Sequence, residues 1–519
     1  MAERPHVRRT WLPMTAVILA AAAVAGLWFY PNPEFPADYR SFFSLVAVVL
    51  AVLVIVVWLL FLSGLRWIER LGILAAVVAV WAGTVRSVEF QGNVIPVFHF
   101  RWEPHTRGQH ETTAQVRIPE PTPADFPEYR NVHRDGVVTG LTLARDWAAR
   151  PPKKLWSLAV GLGYGGISVV GPSAVTLEQI DRDEAVVCYD ADTGKERWVY
   201  RYPAEFRETL GGNGPRTNPT IVGGDVYSLG ATGVLVRLDG TTGKEKWKVN
   251  VLDGRENIQW GMSGSPLVYD RFVVVNPGAN PGPHKDAGAG KAVVAYDRDT
   301  GKVAWSAGDR MAGYSSPQLA TIAGVRQVLV FDGEGLGSFD PENGKELWFH
   351  EWKQSPEVNV AQPLVQIGRA VFISSGYGHG STMLMVGLAD GKWSADEVWT
   401  NNRLKCKFTS PVARNGFIYG IDEAAGSLTC LDATTGKLRW KDGRYGNGQI
   451  LLVGDVILVG TETGKLVLVE ARPDEFRELA SFQALEGRKN WNYLTVARGR
   501  AYVRNHEMMA CYELPATKD

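Results

Sequence analysis

The sequence predicts an all-β protein built as an eight-bladed β-propeller, preceded by an N-terminal membrane anchor of three transmembrane helices. Three observations predict it: a ten-residue turn phrase that recurs five times, tryptophans that return at regular intervals, and three apolar runs near the N-terminus. A repeat of roughly 40 to 50 residues is typical of propellers, in which each repeat is a small sheet that packs against its neighbours.

The first part of the chain, residues 1–88, is predicted to be the membrane anchor. Uncharged apolar runs begin at Trp11 and Ser41. Each is long enough for a helix to cross the roughly 30 Å hydrocarbon core of a bilayer. A third, shorter run reaches span length if it begins at Trp67, with its two charged side chains extending to the interface. The predicted spans are residues 11–30, 42–65 and 67–86.

Positively charged residues indicate how this anchor is oriented. Cations precede the first span and occupy the connection between the second and third; they are Arg4, Arg8, Arg9, Arg66 and Arg70. Because cytoplasmic loops are enriched in Lys and Arg, the N-terminus is predicted to be cytoplasmic, and three spans place the chain after residue 86 outside the cytoplasm. If the third run does not span, the propeller lies in the cytoplasm instead.

Residues 89–151 are predicted to link the anchor to the propeller and to open the repeat region. The stretch up to about residue 125 is rich in proline and polar residues, as linkers are. Within it, residues 91–103 mix apolar and aromatic side chains, which suggests packing against the propeller. The opening segment that follows, residues 126–136, reads FPEYRNVHRDG.

The recurring phrase is Asp-x-x-(Thr/Asn)-Gly-Lys-x-x-Trp, and each copy predicts a β-hairpin. The Asp and the Thr or Asn bond nearby backbone groups to start a turn, and the Gly supplies a positive φ. A second strand begins at the Lys and carries the Trp as a large apolar anchor. The copies occupy residues 189–198, 238–247, 296–305, 339–348 and 431–440.

Degenerate copies bring the number of blades to eight. The predicted structural blade anchors are Trp156, Trp198, Trp247, Trp305, Trp348, Trp399 and Trp440, with Leu479 in the eighth position. The first anchor has no strands before it, and the final segment has strands but no anchor after it. We therefore expect a propeller over residues 152–519, closed by pairing of 152–160 with 493–514, which removes open sheet edges.

Composition excludes some functions. The chain has 55 basic and 55 acidic residues, so no excess of positive charge exists to neutralise nucleic-acid phosphates. The four cysteines are too few for a disulfide scaffold and show no metal-binding spacing, and two of them share one strand position in the repeat. We interpret the cysteines as small core residues.

The candidate site is the central channel. Several innermost strands begin with a polar residue followed by proline, at Asn218, Ser265, Ser316, Gln362 and Ser410. Proline suits the first residue of a strand, so it is interpreted as structural. The side chains beside these starts are Tyr164, Arg216, Trp260, Tyr314, Asn359, Lys407, Gln449 and Trp491. An aromatic funnel with one Arg and one Lys suits a flat anionic ligand. The alternative is that the aromatic rings fill the channel and the cations are solvated.

These motifs resemble those of a known family. The turn phrase resembles the repeat of quinoprotein propellers, which bind pyrroloquinoline quinone (PQQ) and dock the Trp between blades. The stretch YRNVHRDG at 129–136 is similar to the opening of bacterial membrane-anchored PQQ-like repeat proteins. The likeness covers roughly residues 126–514. It implies the fold, and two functional classes: quinoprotein dehydrogenases, and BamB, a non-catalytic periplasmic scaffold for outer-membrane assembly.

The resemblance to dehydrogenases implies a cysteine pair and a set of calcium ligands, and no motif in this sequence identifies either of them. Its alcohol dehydrogenases carry adjacent disulfide-bonded cysteines over the quinone, and no two cysteines are adjacent here. They also hold Ca²⁺ with Glu, Asn and Asp side chains. Only location in the repeat proposes Asn359 or Glu256 for such a role, so no catalytic or metal-binding residue is predicted.

We therefore predict a multi-pass protein of the bacterial inner membrane with its propeller in the periplasm. The predicted role is a protein-binding scaffold in envelope or outer-membrane protein assembly, with a protein partner and no nucleic acid. The alternative is a PQQ-dependent alcohol or sugar oxidoreductase with PQQ and Ca²⁺ in the funnel. Its cofactor-binding candidates are Arg216, Trp260, Tyr314, Asn359, Lys407 and Trp491.

Overall fold

A computed structural model describes residues 11–29, 37–91, 95–102, 107, 110–209, 211–279, 290–354, 356, 358–366, 368–487 and 489–517. The chain divides into two compact units. The first comprises residues 1–105 with 207–212, and the second comprises 106–206 with 213–519.

The first unit contains three apolar helices, as predicted. They are α1 (Trp11–Phe29), α2 (Ala37–Val57), which continues into a π-helical turn (Trp58–Leu62), and α3 (Trp67–Thr84). Almost none of their side chains is buried in protein, and all three are long and apolar enough to cross a membrane. The start of α3 is capped because Glu69 Oε2 accepts the Arg66 backbone N–H at 2.9 Å.

A β-hairpin follows α3 directly within this unit. It consists of β1 (Val85–Gln91) and β2 (Ile95–Phe100), paired antiparallel. Its aromatic rings pack locally: Phe98 meets Trp81 edge-to-face at 5.4 Å, and Phe100 stacks on Trp102 at 4.8 Å. The apolar and aromatic residues of this stretch therefore form a short sheet rather than an irregular linker.

The second unit confirms the predicted eight-bladed propeller, since it contains eight antiparallel sheets of four propeller strands each. Blade 1 is β5 (Ser168–Val170), β6 (Ser173–Ile180), β7 (Asp183–Asp190) and β8 (Glu196–Pro203). Blade 2 is β9 (Thr220–Val222), β10 (Asp225–Leu229), β11 (Val234–Asp239) and β12 (Glu245–Asn250). Blade 3 is β13 (Leu267–Tyr269), β14 (Phe272–Val275), β15 (Val293–Asp297) and β16 (Val303–Ala307). Blade 4 is β17 (Gln318–Ile322), β18 (Val325–Phe331), β19 (Gly335–Phe339) and β20 (Glu346–Glu351).

The remaining blades repeat this order, from an innermost strand to an outermost one. Blade 5 is β21 (Leu364–Val365), β22 (Ala370–Ser375), β23 (Gly380–Ala389) and β24 (Lys392–Asn401). Blade 6 is β25 (Val412–Arg414), β26 (Phe417–Asp422), β27 (Ser427–Asp432) and β28 (Leu438–Asp442). Blade 7 is β29 (Gln449–Val453), β30 (Val456–Gly460), β31 (Lys465–Glu470) and β32 (Glu478–Gln483), with β3 (Val137–Val138) added in parallel to β29.

Blade 8 is shared by the two ends of the repeat region. Its strands are β33 (Thr495–Ala497), β34 (Arg500–Arg504), β35 (Met508–Glu513) and, from earlier in the chain, β4 (Lys153–Ala159). The pairing of β35 with β4 is antiparallel, with Cys511 opposite Trp156. The ring is thereby closed by hydrogen bonds between segments more than 300 residues apart, and neither segment is left as an unpaired strand.

The turn of each repeat forms as its residue types dictate. In blade 1, Asp190 Oδ1 accepts the backbone N–H of Thr193 at 2.8 Å and its hydroxyl at 2.9 Å. Gly194 has φ +72°, a conformation that a residue with a Cβ rarely adopts. The same Asp–Thr contacts recur at Asp239, Asp297 and Asp432.

The tryptophans link consecutive blades. Each of six indole N–H groups donates to a backbone carbonyl in the turn of the following blade: Trp156 to Ala191, Trp198 to Gly240, Trp247 to Arg298, Trp305 to Pro341, Trp399 to Ala433 and Trp440 to Arg472. Trp348 differs, because its indole donates to Gln327 Oε1 in its own blade. The blade that follows, blade 5, carries a shortened form of the turn phrase at residues 389–392.

Candidate functional site

A ring of hydrogen bonds surrounds the central channel and joins every adjacent pair of blades. The polar residue at each blade start bonds the start of a neighbour: Gly166 N–H to Asn218, Asn218 N–H to Ser265, Ser265 N–H to Ser316, Gln362 Nε2 to Ser316, Gln362 N–H to Ser410, Gln449 Nε2 to Phe408 and Trp491, and Asn492 Nδ2 to Gly165. These bonds measure 2.8 to 3.1 Å. The polar residue before each proline is therefore a connector between blades, which the sequence analysis did not predict.

The opening segment, residues 126–136, inserts into this ring; we call it the plug. Arg130 is 1% exposed, and its guanidinium donates to the carbonyls of Ser410 at 3.1 Å and Asp135 at 2.7 Å. The Tyr129 hydroxyl lies 3.2 Å from Ser410 Oγ. After the plug, β3 pairs with the innermost strand of blade 7. The chain thus enters the channel and leaves it again before the first blade begins.

A second buried guanidinium anchors the plug on the opposite side of the ring. Arg134 is 1% exposed and donates to the carbonyls of Ser265 at 3.1 Å, Pro266 at 2.7 Å and Pro317 at 2.7 Å. Its Nε also donates to Glu128 at 2.8 Å. Burial raises the pKa of Glu128, while the adjacent guanidinium opposes the shift.

The plug backbone is strained where it turns. Three of its non-glycine residues have positive φ: Arg130 at 61°, Asn131 at 70° and Arg134 at 53°. Such conformations persist only where the surroundings hold them. Here the surroundings are the carbonyls of blades 3, 4 and 6, which fix both guanidiniums.

The predicted funnel residues lie at the blade starts, and the structure brings them together in separate groups. In the first group, the Arg216 guanidinium lies 5.6 Å from the Tyr164 ring centre and 4.9 Å from that of Phe206. Tyr164 in turn packs against Trp491 at 6.0 Å and stacks on His506 at 6.1 Å.

The second group surrounds Lys407. Its ammonium lies 5.1 Å from the Tyr377 ring centre and 5.3 Å from that of Phe408. Phe408 also meets Trp491, at 5.0 Å, so the Trp491 ring connects this group to the first. Both cations predicted for the funnel therefore lie over aromatic rings, an arrangement that stabilises positive charge in a partly dry site.

The third group, Trp260 and Tyr314, packs at 5.6 Å between ring centres. The predicted candidate Asn359 is fully buried beside it: its Nδ2 donates to the Asp332 carbonyl at 2.8 Å, and its Oδ1 accepts the Ser375 hydroxyl at 2.6 Å and Gln354 Nε2 at 3.2 Å. Because both lone pairs of this oxygen already accept hydrogen bonds, Asn359 does not fit the role of a calcium ligand.

A buried carboxyl near Arg216 escaped the sequence analysis. Glu184 is fully buried in β7, where it accepts the Tyr202 hydroxyl at 2.9 Å and the Ala231 N–H at 2.8 Å. Burial raises the pKa of Glu184 to about 7, against the opposing effect of these donors and of Arg216. Nothing in the repeat phrase marks this position, because it follows a different turn of the blade.

The cysteines lie in separate places. Cys188, Cys406, Cys430 and Cys511 are all free and buried, and burial raises the pKa of each thiol to about 12. Protonated, buried thiols of this kind are unreactive core groups. Among the residues that the structure describes, no cluster of three or more His, Cys, Asp and Glu side chains is arranged to hold a metal ion.

Eight four-stranded blades, a shared closing blade and inter-blade tryptophans define the class of PQQ-like propellers. A family model described as outer membrane protein assembly factor BamB matches residues 145–280 and 255–442, which is more than half of the chain. The chain belongs to this family.

Solved structures share the fold. BamB from Moraxella catarrhalis is similar with a TM-score of 0.50 and 15% identity over 70% of this chain and all of that one. Quinohemoprotein alcohol dehydrogenase from Comamonas testosteroni gives a TM-score of 0.55 and 12% identity over 76% of this chain and 81% of that one. At these identities the likeness concerns the fold alone.

A curated relative shares more sequence over a shorter stretch. Quinohemoprotein alcohol dehydrogenase ADH IIB of Pseudomonas putida is 31% identical over 146 residues, which are 27% of this chain. The match spans only 20% of that relative's length. It therefore identifies related blades rather than a related whole protein.

Proposed function

We propose that this protein is a membrane-tethered propeller that acts outside the cytoplasm as a protein-binding scaffold in envelope or outer-membrane protein assembly. The observation that carries the proposal is the plugged channel. Polar side chains at the blade starts bond neighbouring blades. Arg130 donates to the carbonyl of Ser410, and Arg134 donates to those of Ser265 and Pro266, all at the blade starts. Such a ring is a rigid frame, and rigid frames present their outer strands and loops to partners with little loss of conformational entropy.

The comparisons support the same role. The matching family is described as an outer membrane protein assembly factor, and a solved member of it covers 70% of this chain. The three apolar helices supply the membrane attachment. Placement of the propeller in the periplasm follows from the cations around the predicted spans and is part of the proposal.

The test is purification of the full-length protein in detergent, followed by two measurements. We expect an envelope protein to remain bound in a fixed ratio, and we expect no saturable quinone absorbance and no dye-linked alcohol or sugar oxidation when PQQ and Ca²⁺ are added. Saturable PQQ binding with turnover would overturn the scaffold proposal.

The second candidate, a PQQ-dependent oxidoreductase, is favoured by the two cation–aromatic groups of the funnel. PQQ is a planar tricarboxylate, so its rings suit Trp491 and Tyr164 and its carboxylates suit Arg216 and Lys407. When bound, it would supply the two-electron oxidation of an alcohol. The residues described fit the quinone better than the calcium ion, since the Asn359 side-chain oxygen already accepts hydrogen bonds from Ser375 and Gln354.

Charge removal tests this candidate directly. If the funnel holds the quinone, Arg216→Gln and Lys407→Gln each weaken PQQ binding by about tenfold or more, as expected for loss of one charged hydrogen-bonding partner. Arg182→Gln is the matched control, because the Arg182 side chain is 85% exposed and its nearest carboxylate, that of Glu205, is 4.0 Å away. Equal PQQ binding by all three variants and the parent would exclude the funnel.

A further inference from the structure

The outer hairpin of blade 5 differs from those of the other blades. Its strands β23 and β24 have ten residues each, whereas the outermost strands of the other blades have five to eight. The difference arises in the sequence, where the full turn phrase is replaced by Ala389-Asp390-Gly391-Lys392 after a longer strand. Trp393 then packs against the core cluster that contains Trp348. The longer hairpin thus contributes Trp393 to the packing between blades 4 and 5.

The outermost strand of this hairpin is an open edge. Within the described part of the chain, β24 pairs with β23 alone, so its other side carries unpaired backbone N–H and C=O groups. Most of its side chains are exposed, and apolar ones are among the exposed residues of the hairpin: Val398 at 49%, Met385 at 44% and Leu388 at 36%. Residues 380–401 contain no proline, the residue that commonly blocks pairing at an edge.

The chain itself shows how such an edge takes another strand. In blade 1, residues 110–113 run alongside the outermost strand β8 in parallel, with Thr112 opposite Glu196. The Thr113 N–H donates to the Glu196 carbonyl at 2.9 Å, and the Glu196 N–H donates to the Glu111 carbonyl at 2.8 Å. An outer blade edge of this propeller is therefore geometrically able to accept an extended segment. In blade 1 the edge of β8 already holds this segment at one bridge, Thr112 with Glu196, whereas among the described residues β24 pairs with β23 alone.

The charge along β24 indicates what kind of segment fits. Its middle carries Asp396 and Glu397, and its one cation, Lys392, lies at the far end. Asp396 stands opposite Met385 across the hairpin, so acid and apolar surface share one face. A cross-strand partner with the opposite charge stabilises such a pairing, and a like charge destabilises it.

We propose that β24 is a docking edge for an extended segment of a partner envelope protein. The segment adds as a fifth strand to blade 5, with Lys or Arg side chains beside Asp396 and Glu397 and apolar side chains against Val398 on β24. Main-chain hydrogen bonds hold the segment, and the charges set its register. This inference rests on the scaffold function proposed above and names the surface and the chemistry of the partner.

The first experiment measures peptide binding to the full-length protein in nanodiscs by fluorescence anisotropy. The probes are two synthetic peptides matched to β24 in length, one alternating valine with lysine and one alternating valine with glutamate. We expect the lysine peptide to bind and the glutamate peptide to bind at least about tenfold more weakly. The double variant Asp396→Lys with Glu397→Lys reverses this preference.

The matched control is Asp442→Lys, an exposed acid on β28, the outermost strand of blade 6. It leaves the preference for the lysine peptide unchanged if β24 is the docking edge. A preference that responds equally to both sets of substitutions would overturn the proposal, because it would report general surface charge.

The second experiment places a photo-crosslinking amino acid at Val398, and at Val303 as the control. Val303 is 60% exposed on β16, the short outermost strand of blade 3. We expect the co-purifying envelope protein to crosslink at position 398 and not at 303. If that protein is retained but crosslinks elsewhere, the docking edge is wrong and the scaffold function stands. If no protein is retained, the scaffold function fails as well. Crosslinks between two copies of this chain at 398 overturn the choice of partner.

Discussion

At the scale of single residues, the buried side chains of Arg130 and Arg134 hold the plug against the blades of the second unit. Each guanidinium of the plug has five N–H donors, and in Arg130 and Arg134 these point at backbone carbonyls of blades 3, 4 and 6 and of the plug itself. A charge buried without partners is very costly, so such residues are tolerated only where every donor is satisfied. The same donors satisfy carbonyls that begin the innermost strands.

Loss of one of these arginines is therefore expected to destabilise the propeller. We expect Arg134→Met to lower the free energy of unfolding by about 3 to 5 kcal/mol, because three carbonyls and the carboxylate of Glu128 lose their partner. Adding Glu128→Gln restores part of the loss. Urea unfolding followed by tryptophan fluorescence checks this, with the exposed Arg182→Met as a control that leaves the midpoint unchanged. A midpoint for Arg134→Met equal to that of the control would contradict the plug's role.

Glu184 predicts a pH dependence. Its pKa of about 7 in the folded state lies above the ordinary value of 4.5. Between pH 4.5 and pH 7 the folded protein therefore keeps a proton on this carboxyl that the unfolded chain has released. Stability contributed by the neutral carboxyl is present below pH 4.5 and is lost as the pH rises to 7, by about 3 kcal/mol. Glu184→Gln is expected to remove this decline. The melting temperature of the variant should therefore rise relative to that of the parent between pH 5 and pH 8. Parallel pH profiles for parent and variant would show that the carboxyl is ionised throughout.

At the scale of elements, the turn glycine and the tryptophan form one joint between blades. A Cβ built on Gly243 would lie 2.6 Å from Cε3 of Trp198, the anchor of the preceding blade. The same indole donates to the Gly240 carbonyl at 2.9 Å. The glycine is thus required both for its φ of +70° and for the ring that lies on it.

These two requirements separate in a pair of variants. Gly391 in the blade 5 turn has φ +74° but nothing within 4 Å of a built Cβ. We expect Gly391→Ala to cost about 1 to 2 kcal/mol of stability from its backbone conformation alone. Gly243→Ala should cost distinctly more, because the Trp198 ring must also move. Chemical denaturation of both variants measures the difference in the free energy of unfolding. Equal losses would mean that the Trp198 ring can move aside without destabilising the protein.

At the scale of the whole molecule, closure of the ring depends on segments from distant parts of the chain. The strand β4 belongs to blade 8 although it precedes the other three strands of that blade in the chain by most of the propeller, and β35 pairs with it near the C-terminal end. The plug is also set early in the sequence, yet it bonds blades 3, 4 and 6. Folding of this unit therefore waits for contacts of large sequence separation, which are slow to form.

The orientation of the chain in the membrane is testable on the full-length protein. A reporter enzyme that is active only outside the cytoplasm, fused after Asp519, is expected to be active if the three apolar helices span with the proposed cytoplasmic N-terminus, because that topology exports the C-terminal part. Deletion of α3 (Trp67–Thr84) is expected to silence it. An inactive reporter on the intact chain would place the propeller in the cytoplasm and remove the envelope partner from consideration.

Local patterns in the sequence determined the repeat and the helices. Apolar runs of span length predict α1, α2 and α3, and the Asp-x-x-Thr-Gly-Lys phrase predicts its hairpins, because both depend on residues that are near one another in the chain. The spacing of the tryptophans predicts the eight blades for the same reason. The helices and the turn phrase are each a property of one short segment, and the number of blades follows from recurrence of that phrase along the chain.

Only the tertiary structure decided what fills the channel and which residues of the funnel meet. The contacts of the plug's arginines, of the polar connectors before the prolines and of the buried Asn359 all depend on atoms brought together from different parts of the chain. No spacing in one repeat records a contact with another, and the burial that raises the pKa of Glu184 is likewise a property of the folded blades. The repeat in the sequence therefore determines the strands and turn of each blade. The contacts of the candidate site are determined only when the blades close into a ring.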